Sequence, residues 1–289
     1  MARMWALGDR SNPVSKTPGL VVTEDEIEVT WAPFSTSSDG GIPRTLNLNS
    51  RAAFAPWESD SNGPMMSASI GHVLPPSLDE ADAGEIASKG QLLPLSWQAL
   101  NHDEELMDES LNPHVVVLTD ALQLANRPGR LVEAILVVKK RFPGALLWTP
   151  GIGGPDNCAV LAWFGVDLFD TTRTRQAEAH GAVLTWNGPR IAIEGESANS
   201  HWRSALAEVR SAMLSNSLRE LAQSQSLNSP RLVEHMRNHD KLISKSEGIL
   251  SQIVSDGTAL RVHSVESHDD PIILDWVDYI TNEYQSPEG

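Results

Sequence analysis

Cysteine is almost absent from this chain, since Cys158 is the single one among 289 residues. One thiol excludes an internal disulfide and any zinc site built from several thiolates, and it is typical of a reducing cytosol. Apolar runs of membrane-spanning length are also lacking, and no charged-then-apolar leader opens the chain. We therefore expect a soluble, cytoplasmic protein.

Positive charge is scarce as well, with 22 Lys and Arg against 38 Asp and Glu and a net charge of −16 at pH 7. Lys and Arg supply most non-specific affinity for nucleic acid by neutralising phosphates, so this composition is poorly suited to holding RNA unaided. An acidic, salt-adapted proteome would give the same balance, and composition does not separate the two. With 40% hydrophobic residues, the chain can bury the core of one large or two modest domains.

The stretch LLWTPGIGGPDNCAVLAWFGVDLFDTTR, residues 146–173, carries most of the functional information. It predicts a strand at 146–148, a glycine turn at 150–154, a helix from 155 to 164 and a strand at 166–169 that ends at Asp170. Barrels and open α/β sheets carry their chemistry where parallel strands end. Taken singly, the glycine cluster is more often a tight βα turn and the Asp more often a helix N-cap.

Two motifs in this stretch have a specific order and spacing: Gly151-Ile152-Gly153-Gly154-Pro155, then Gly165-Val166-Asp167-Leu168-Phe169-Asp170. The stretch resembles the nucleophile region of tRNA-guanine transglycosylases. The resemblance implies that Asp170 is a catalytic nucleophile that attacks the ribose anomeric carbon. It also implies that the base pocket is lined by Trp148, Pro150, Gly151 and Gly153.

A second motif of the family is present in its surrounding residues, but its functional Asp is replaced. The chain has Phe54-Ala55-Pro56-Trp57, then Gly63-Pro64, then Ser67-Ala68-Ser69 where archaeal-type transglycosylases carry Thr-Asp-Ser. The resemblance makes that Asp the general acid/base, and base exchange needs such a group beside the nucleophile. Ala68 cannot fill this role, and Asp60 nearby is more easily interpreted as a solvated loop residue.

The remaining sequence predicts several further elements. They are an early hairpin (20–22 with 27–31), a buried strand (114–120), a helix (126–142) with the apolar stripe Leu131, Ile135 and Val138, and a second hairpin (182–186 with 190–194). Residues 200–254 predict two antiparallel helices joined near 226–230, and 271–284 predict a last amphipathic helix. Lys139-Lys140-Arg141 lies at the end of the 126–142 helix, where basic side chains interact favourably with the helix dipole. A structural role is therefore favoured over RNA binding.

Metal binding is not expected. Transglycosylases place a Cys-x-Cys-x-x-Cys zinc cluster after the second hairpin, whereas residues 195–201 here contain no cysteine. His235 and His239 lie one helical turn apart but lack a third ligand, so two surface histidines are the favoured interpretation. We predict no metal and no cofactor.

The helices after the second hairpin and the segment that follows them resemble archaeosine synthase, a relative of the transglycosylases that acts on 7-cyano-7-deazaguanine in the D-loop of archaeal tRNA. The resemblance covers most of the chain, is strongest over residues 114–173 and extends only to the N-terminal half of that enzyme. In that enzyme a core domain with a Pro-Cys-x3-Lys-Pro-Tyr motif follows, and this sequence reaches Gly289 without it. The resemblance therefore implies two partners, namely tRNA and a separate chain that carries the core domain. It implies no membrane partner.

The sequence as a whole predicts an α/β fold, a reduced (β/α)8 TIM-barrel-like transglycosylase domain (1–195) followed by a helical C-terminal segment (196–289). The favoured function is that of the transglycosylase-like subunit of a split, two-chain archaeosine synthase. An active tRNA-guanine transglycosylase with Asp170 as nucleophile is the first alternative. A barrel enzyme that binds a phosphorylated metabolite at 151–154 is the second.

Overall fold

An eight-stranded sheet with the order β6-β5-β4-β3-β10-β9-β8-β7 organises the protein. The computed structural model describes residues 2–7, 15–23, 26, 29–39, 42–48, 66–69, 92–102, 106, 111–243, 268 and 270–285. The strands of this sheet are β3 (Gly19–Thr23), β4 (Phe34–Asp39), β5 (Ile42–Leu48), β6 (Met66–Ser69), β7 (Leu92–Leu95), β8 (Val115–Leu118), β9 (Leu146–Trp148) and β10 (Leu168–Asp170).

Six of these strands are parallel and form a curled half-barrel flanked by helices. Strands β7 to β10 follow one another in space as they do in sequence. The last of them, β10, then pairs with β3, the first strand of the sheet in chain order. A closed (β/α)8 barrel joins its last strand to its first in the same way. The α/β fold is therefore consistent with a partial TIM-barrel-like domain, and β5 and β6 extend its edge in antiparallel fashion.

The helices cover the outer face of this half-barrel or follow it in the chain. They are α1 (Trp97–His102), α2 (Ala121–Ala125), α3 (Arg130–Arg141), α4 (Cys158–Phe164), α5 (Thr172–Ala179), α6 (Trp202–Leu214), α7 (Leu218–Ser226), α8 (Pro230–Ile243) and α9 (Pro271–Asp278). Two ribbons complete the described elements, β1 (Ala6–Leu7) with β2 (Ser15–Lys16) and β11 (Ala182–Thr185) with β12 (Gly188–Ile191).

Successive side chains of the parallel strands point to opposite faces of the sheet and pack into two separate hydrophobic cores. In β8, Val116 and Leu118 pack with the helices, whereas Val115 and Val117 point to the concave face. The concave cluster also contains Trp148 and Leu168, together with Leu7 from the N-terminal ribbon. Both faces of the sheet are thus buried, as the continuous apolar composition of these strands favours.

The predicted early hairpin is wrong, because its first strand pairs elsewhere in the sheet. Residues 20–22 lie in β3, which is an interior parallel strand between β10 and β4. Of the predicted second strand, 27–31, residues 27 and 28 lie outside the described residues and residues 30–31 form a turn, in which the Ala32 N–H donates to the Val29 carbonyl. The prediction failed because a short, fully apolar run identifies a buried strand but not the partner beside it.

The predicted strand at 114–120 and the hairpin at 182–194 are confirmed as β8 and the β11–β12 ribbon. The helix predicted over 126–142 begins later, at Arg130, and its stripe of Leu131, Ile135 and Val138 is buried as expected. Helix α4 likewise begins at Cys158 rather than at 155, because residues 155–157 form a turn.

Two helices were predicted over residues 200–254, of which 200–243 are described, and that described part contains three. Asn216 adopts a left-handed conformation (φ +55°) and separates α6 from α7. Both helices pack on α4, and α8 packs on α3. Trp202 of α6 is fully buried, with its ring centroid 5.7 Å from that of Phe169 in β10. The helices thus share the outer core of the sheet, and the boundary at 195/196 stays a prediction.

Helix α9 confirms helical structure within the predicted 271–284 segment, and a π-helical turn (Tyr279–Glu283) follows it. Among the described residues, no helix has both the length and the apolar character needed to cross a membrane.

Candidate functional site

Asp170 lies at the carboxyl end of β10, on the concave side of the half-barrel. The residue is 7% exposed, and its carboxylate accepts three hydrogen bonds. Oδ2 accepts from the indole Nε1 of Trp148 at 3.1 Å and from the backbone N–H of Gly151 at 2.9 Å. Oδ1 accepts from the backbone N–H of Thr172 at 2.9 Å. The carboxylate is therefore held in one orientation by the next strand, the glycine turn and the start of α5.

Two of the four residues predicted to line a base pocket, Trp148 and Gly151, donate hydrogen bonds to this carboxylate. Trp148 is buried in the concave cluster, and Pro150 and Gly151 are half-buried at the same edge of the sheet. Gly151 has a left-handed backbone (φ +77°), which favours glycine and aims its N–H at Asp170. The structure thus brings Trp148, Gly151 and Asp170 together, whereas their roles toward a substrate stay predictions.

The fourth residue, Gly153, has a packing reason to be glycine. A Cβ atom there would stand 2.5 Å from Cδ1 of Phe169, and one at Gly154 would meet Asp156 and Arg173. The Gly154 N–H donates to Oδ1 of Asn157 at 2.8 Å. Since the amides of Gly151 and Gly154 are already used inside the chain, this turn is poorly suited to cradling a phosphate, as the metabolite-enzyme alternative requires.

Polar side chains from distant parts of the sequence fix the segment that follows the turn. Gln225 of α7 accepts from the Ala159 N–H at 2.7 Å and donates to the Pro155 carbonyl at 2.8 Å. Asn228 donates to the carbonyls of Asp156 (3.0 Å) and Trp186 (2.8 Å). The side chains of Asp156 and Arg173 form a bidentate ion pair at 2.5 and 2.6 Å. The turn is therefore a rigid part of the fold.

A buried ion pair supports the two strands beneath the site. The Lys139 ammonium lies 2.5 Å from Oδ2 of Asp167, which also accepts from the Leu147 N–H at 2.8 Å. Burial raises the pKa of the Asp167 carboxyl, and the Lys139 charge opposes that shift. The first residue of the Lys139–Arg141 cluster thus has a structural role, as predicted, and it ties α3 to β9 and β10.

A second buried carboxylate at this edge, Glu26, was missed in the sequence. It is 3% exposed, and its Oε2 accepts hydrogen bonds from the Thr23 N–H (3.0 Å) and the Thr171 hydroxyl (2.6 Å). Asn199 donates to its other oxygen at 3.4 Å. Glu26 therefore joins the ends of β3 and β10 and contacts the residue next to Asp170. Its importance follows only from the pairing of these two strands, which the sequence pattern did not predict.

Ala68 lies on β6, opposite Leu46 in the register of β5. Three strands, β5, β4 and β3, separate β6 from β10 in the sheet order. The rest of that motif, residues 54–57 and 63–64, and the alternative acid Asp60 lie outside the described residues.

The two histidines considered for metal binding are not surface residues, so that prediction is wrong. His235 is 3% and His239 0% exposed on α8, and the His239 ring packs 4.8 Å from that of Phe164. Burial lowers the pKa of both imidazoles. The helix turns this face to the core because Leu232, Met236 and Ile243 share it. Within the described ranges, no cluster of three potential metal ligands occurs.

Comparison with known proteins gives one partial similarity. Over 73 residues the chain is 33% identical to the archaeosine synthase subunit alpha of Methanosarcina acetivorans. The aligned stretch makes up 25% of this chain and 12% of that protein. No protein-family model matches the chain. The chain thus spans about an eighth of that subunit's length and is its weak, partial homologue, which supports a loose link to archaeosine.

Proposed function

We propose that this chain acts in tRNA modification, as the transglycosylase-like subunit of archaeosine biosynthesis, together with a second chain that carries the core domain. The observation that carries the proposal is its partial similarity to an archaeosine synthase subunit. The site supports it in one respect: Asp170, Trp148 and Gly151 form one hydrogen-bonded group at the carboxyl edge of a half-barrel, where barrel enzymes bind substrates.

The local chemistry favours a subunit over a self-sufficient transglycosylase. Base exchange needs a nucleophile and a second group that passes protons to and from the bases. Glu26 is a buried carboxylate at the same edge of the sheet, but its oxygens already bind Thr23, Thr171 and Asn199. It is therefore placed to hold the strand ends together rather than to exchange protons with a bound base.

The distribution of positive charge favours a partner in tRNA binding. The helical region 200–254 contains seven basic residues: Arg203, Arg210, Arg219, Arg231, Arg237, Lys241 and Lys245. At least five of them have partners within the protein, namely Arg210, Arg219, Arg231, Arg237 and Lys241. Arg210 donates to the Pro18 carbonyl at 2.8 Å, Arg219 pairs with Asp240, and Arg231 donates to Asn126. With a net charge of −16, little cationic surface is left for phosphates, so we infer that the partner supplies it.

Gene deletion tests the proposed function. Nucleosides from digested tRNA of the source organism are analysed by mass spectrometry with and without this gene. We expect archaeosine to disappear and its 7-cyano-7-deazaguanine precursor to accumulate in tRNA, and the wild-type gene to restore archaeosine. Unchanged archaeosine in the deletion strain would refute the proposal.

Binding measurements test the two-chain part separately. The purified chain is titrated with tRNA at several salt concentrations, with and without the chain that carries the Pro-Cys-x3-Lys-Pro-Tyr motif. We expect tight binding only with both chains, weakening as salt rises because phosphate contacts release counterions. Tight, salt-sensitive binding by this chain alone, unchanged by the second one, would show a self-sufficient RNA-binding protein.

The position of Asp170 keeps an active transglycosylase as the alternative function. Exchange of radiolabelled guanine into tRNA distinguishes the two, and we expect the isolated chain not to exceed background because Ala68 stands where the transglycosylases carry their acid/base. Robust exchange that disappears in Asp170→Asn, while urea denaturation shows that the variant is still folded under the assay conditions, would establish the alternative, since the carboxylate is then needed in the reaction itself.

A further inference from the structure

Helix α9 and the turn after it expose an unusual amount of apolar surface. Six large apolar side chains between 274 and 284 are 44–55% exposed: Leu274, Trp276, Val277, Tyr279, Ile280 and Tyr284. They make up half of the twelve large apolar side chains that are exposed in the described residues. A concentration of this kind on a soluble chain marks a contact surface more often than scattered single residues do.

The exposed side chains follow a helical pattern. Trp276, Val277, Ile280 and Tyr284 recur at intervals of three and four residues, which places them on one side of the helix. Asp278 and Asn282 follow the same spacing on the other side, where the Asn282 amide donates to Asp278 at 2.6 Å. The segment is thus an amphipathic helix whose apolar side has no cover within the described part of the chain.

The start of this helix is tied to the body of the protein. The Asp270 carboxylate lies 3.1 Å from Nε of Arg219, and Arg219 forms a bidentate pair with Asp240 at 2.6 and 2.7 Å. Arg219 also stands over the Trp163 ring, 5.5 Å from its centroid. The anchor joins the first turn of α9 to α7 and α8 and leaves the apolar side facing outwards.

Charge restricts what can cover this surface. Residues 269–289 contain six acids and neither Lys nor Arg; the acids are Asp269, Asp270, Asp275, Asp278, Glu283 and Glu288. Helices that lie on anionic membranes carry Lys and Arg on their polar face, and RNA phosphates would be repelled. A second copy of the chain would bring the same acidic helix and a further net charge of −16. The complementary surface is apolar and rimmed by positive charge.

We propose that α9 is a docking helix that inserts Trp276, Val277 and Ile280 into an apolar groove of a second protein, rimmed by Lys and Arg side chains. Helix-in-groove contacts of this type use anchors at three- and four-residue spacing. The acidic side chains of residues 269–289 are then attracted by the positive charge of the rim. This contact is independent of the reaction that the complex performs.

The test begins with a photocrosslinking amino acid in place of Trp276 in the full chain, expressed in the organism's own cells. Asn282, on the polar side of the same helix, is the matched control position. We expect one protein to crosslink from position 276 and not from 282. Peptide mapping should place the crosslink in an apolar surface flanked by Lys or Arg.

The crosslinked protein is then purified and its affinity measured for the wild-type chain and for variants. We expect Val277→Asp and Ile280→Asp each to weaken binding about tenfold or more, in the range of buried anchor residues. Asp278→Lys should weaken it less and reduce its salt dependence. Leu122→Asp, an exposed apolar side chain on α2, serves as control and should bind as wild type does.

Three results of the crosslinking and affinity measurements would overturn the proposal. They are crosslinking only to a second copy of the chain, the absence of any crosslinked species, and equal affinity of the wild type and the two Asp variants. Flotation with phosphatidylcholine and phosphatidylglycerol vesicles tests a lipid contact, and binding that Val277→Asp abolishes would show that the helix covers a membrane instead. Since these side chains are exposed, thermal melting of the variants should match that of the wild type.

Discussion

The indole N–H of Trp148 donates to Oδ2 of Asp170 over 3.1 Å, and both side chains are buried. The hydrogen bond runs between neighbouring parallel strands at their carboxyl ends, across the concave face of the sheet. Two backbone N–H groups complete the coordination of the carboxylate. Asp170 therefore has a structural role that exists before any substrate binds.

That structural role predicts a loss of stability in Asp170→Asn. One side of the amide would place an NH2 group against an N–H donor, so at least one hydrogen bond is replaced by a repulsive contact. We expect the free energy of unfolding to fall by about 1–3 kcal/mol, measured by urea denaturation at pH 7. Asp275→Asn, on the exposed α9, is the control and should change it little. Equal stability of the two variants would show that the three donors do not need the carboxylate.

The local order of elements could be predicted where the sequence pattern is itself local. The strand at 146–148, the glycine turn and the strand that ends at Asp170 lie within 25 residues and were identified by their apolar runs and glycines. Strand β3 was mispaired because its partner β10 lies almost 150 residues away in sequence. The break between α6 and α7 depends on one left-handed residue, Asn216, in an otherwise helical pattern.

The partners of the site were not predictable for the same reason. Glu26 meets Thr171 across 145 residues of chain, Gln225 meets Ala159 across 66, and Asn228 meets Asp156 across 72. Each contact becomes recognisable only once the sheet order and the packing of α7 are known. In sequence alone these are ordinary polar residues in loops or at a helix end.

The close approach of Gly153 to a ring predicts that alanine is poorly tolerated there. A Cβ atom would lie 2.5 Å from the Phe169 ring, which is fully buried and cannot move away without displacing its neighbours. We expect Gly153→Ala to lower the free energy of unfolding by about 1–3 kcal/mol through overpacking. Gly144→Ala is the matched control, because its Cβ would meet nothing within 4 Å. Urea denaturation of both variants measures the difference, and similar values would contradict the packing role.

Removing the charge of Lys139 should be among the most damaging single changes. The side chains of Lys139 and Asp167 are 11% and 4% exposed, so Lys139→Met would leave a buried carboxylate without its counter-charge. We expect a loss of about 3–5 kcal/mol. Arg130→Met is the control, since the Arg130–Glu133 pair on the same helix is 52% and 40% exposed and such pairs contribute about 0–1 kcal/mol.

A double variant checks that the effect comes from the pair. Lys139→Met combined with Asp167→Asn removes both charges, and we expect it to be less destabilised than the sum of the two single changes. If the losses add, or if Lys139→Met costs no more than Arg130→Met, the ion pair does not hold the strands as inferred.

The purified chain should carry no stoichiometric zinc. Its one cysteine, Cys158, is buried, and burial raises the pKa of its thiol, which disfavours the thiolate that zinc binds. Elemental analysis of protein purified without chelators is the measurement. About one zinc per chain would show a site built from ligands other than those considered.

The buried imidazole of His239 predicts a loss of stability in mild acid. Burial lowers its pKa in the folded protein below the ordinary 6.5, although the Asp240 carboxylate 3.7 Å away opposes this shift. Below about pH 6.5 the unfolded chain therefore binds a proton that the folded chain does not. Stability should fall from that pH downwards, until the folded protein also binds the proton. His235 contributes in the same direction, because its pKa is also lowered by burial.

Replacing the imidazole separates this effect from other acid-sensitive groups. His239→Leu should lose less stability between pH 7 and pH 5 than the wild type, because one of the two buried bases is gone. The ion pair with Arg219 lowers the pKa of Asp240 against the effect of burial. Protonation of Asp240 therefore reduces stability only below the ordinary pKa of carboxyl groups, and it does not act between pH 7 and pH 5. His180→Gln, an exposed position at the end of α5, should keep the wild-type pH dependence. If His239→Leu loses as much stability as the wild type over this range, the acid sensitivity arises elsewhere in the protein.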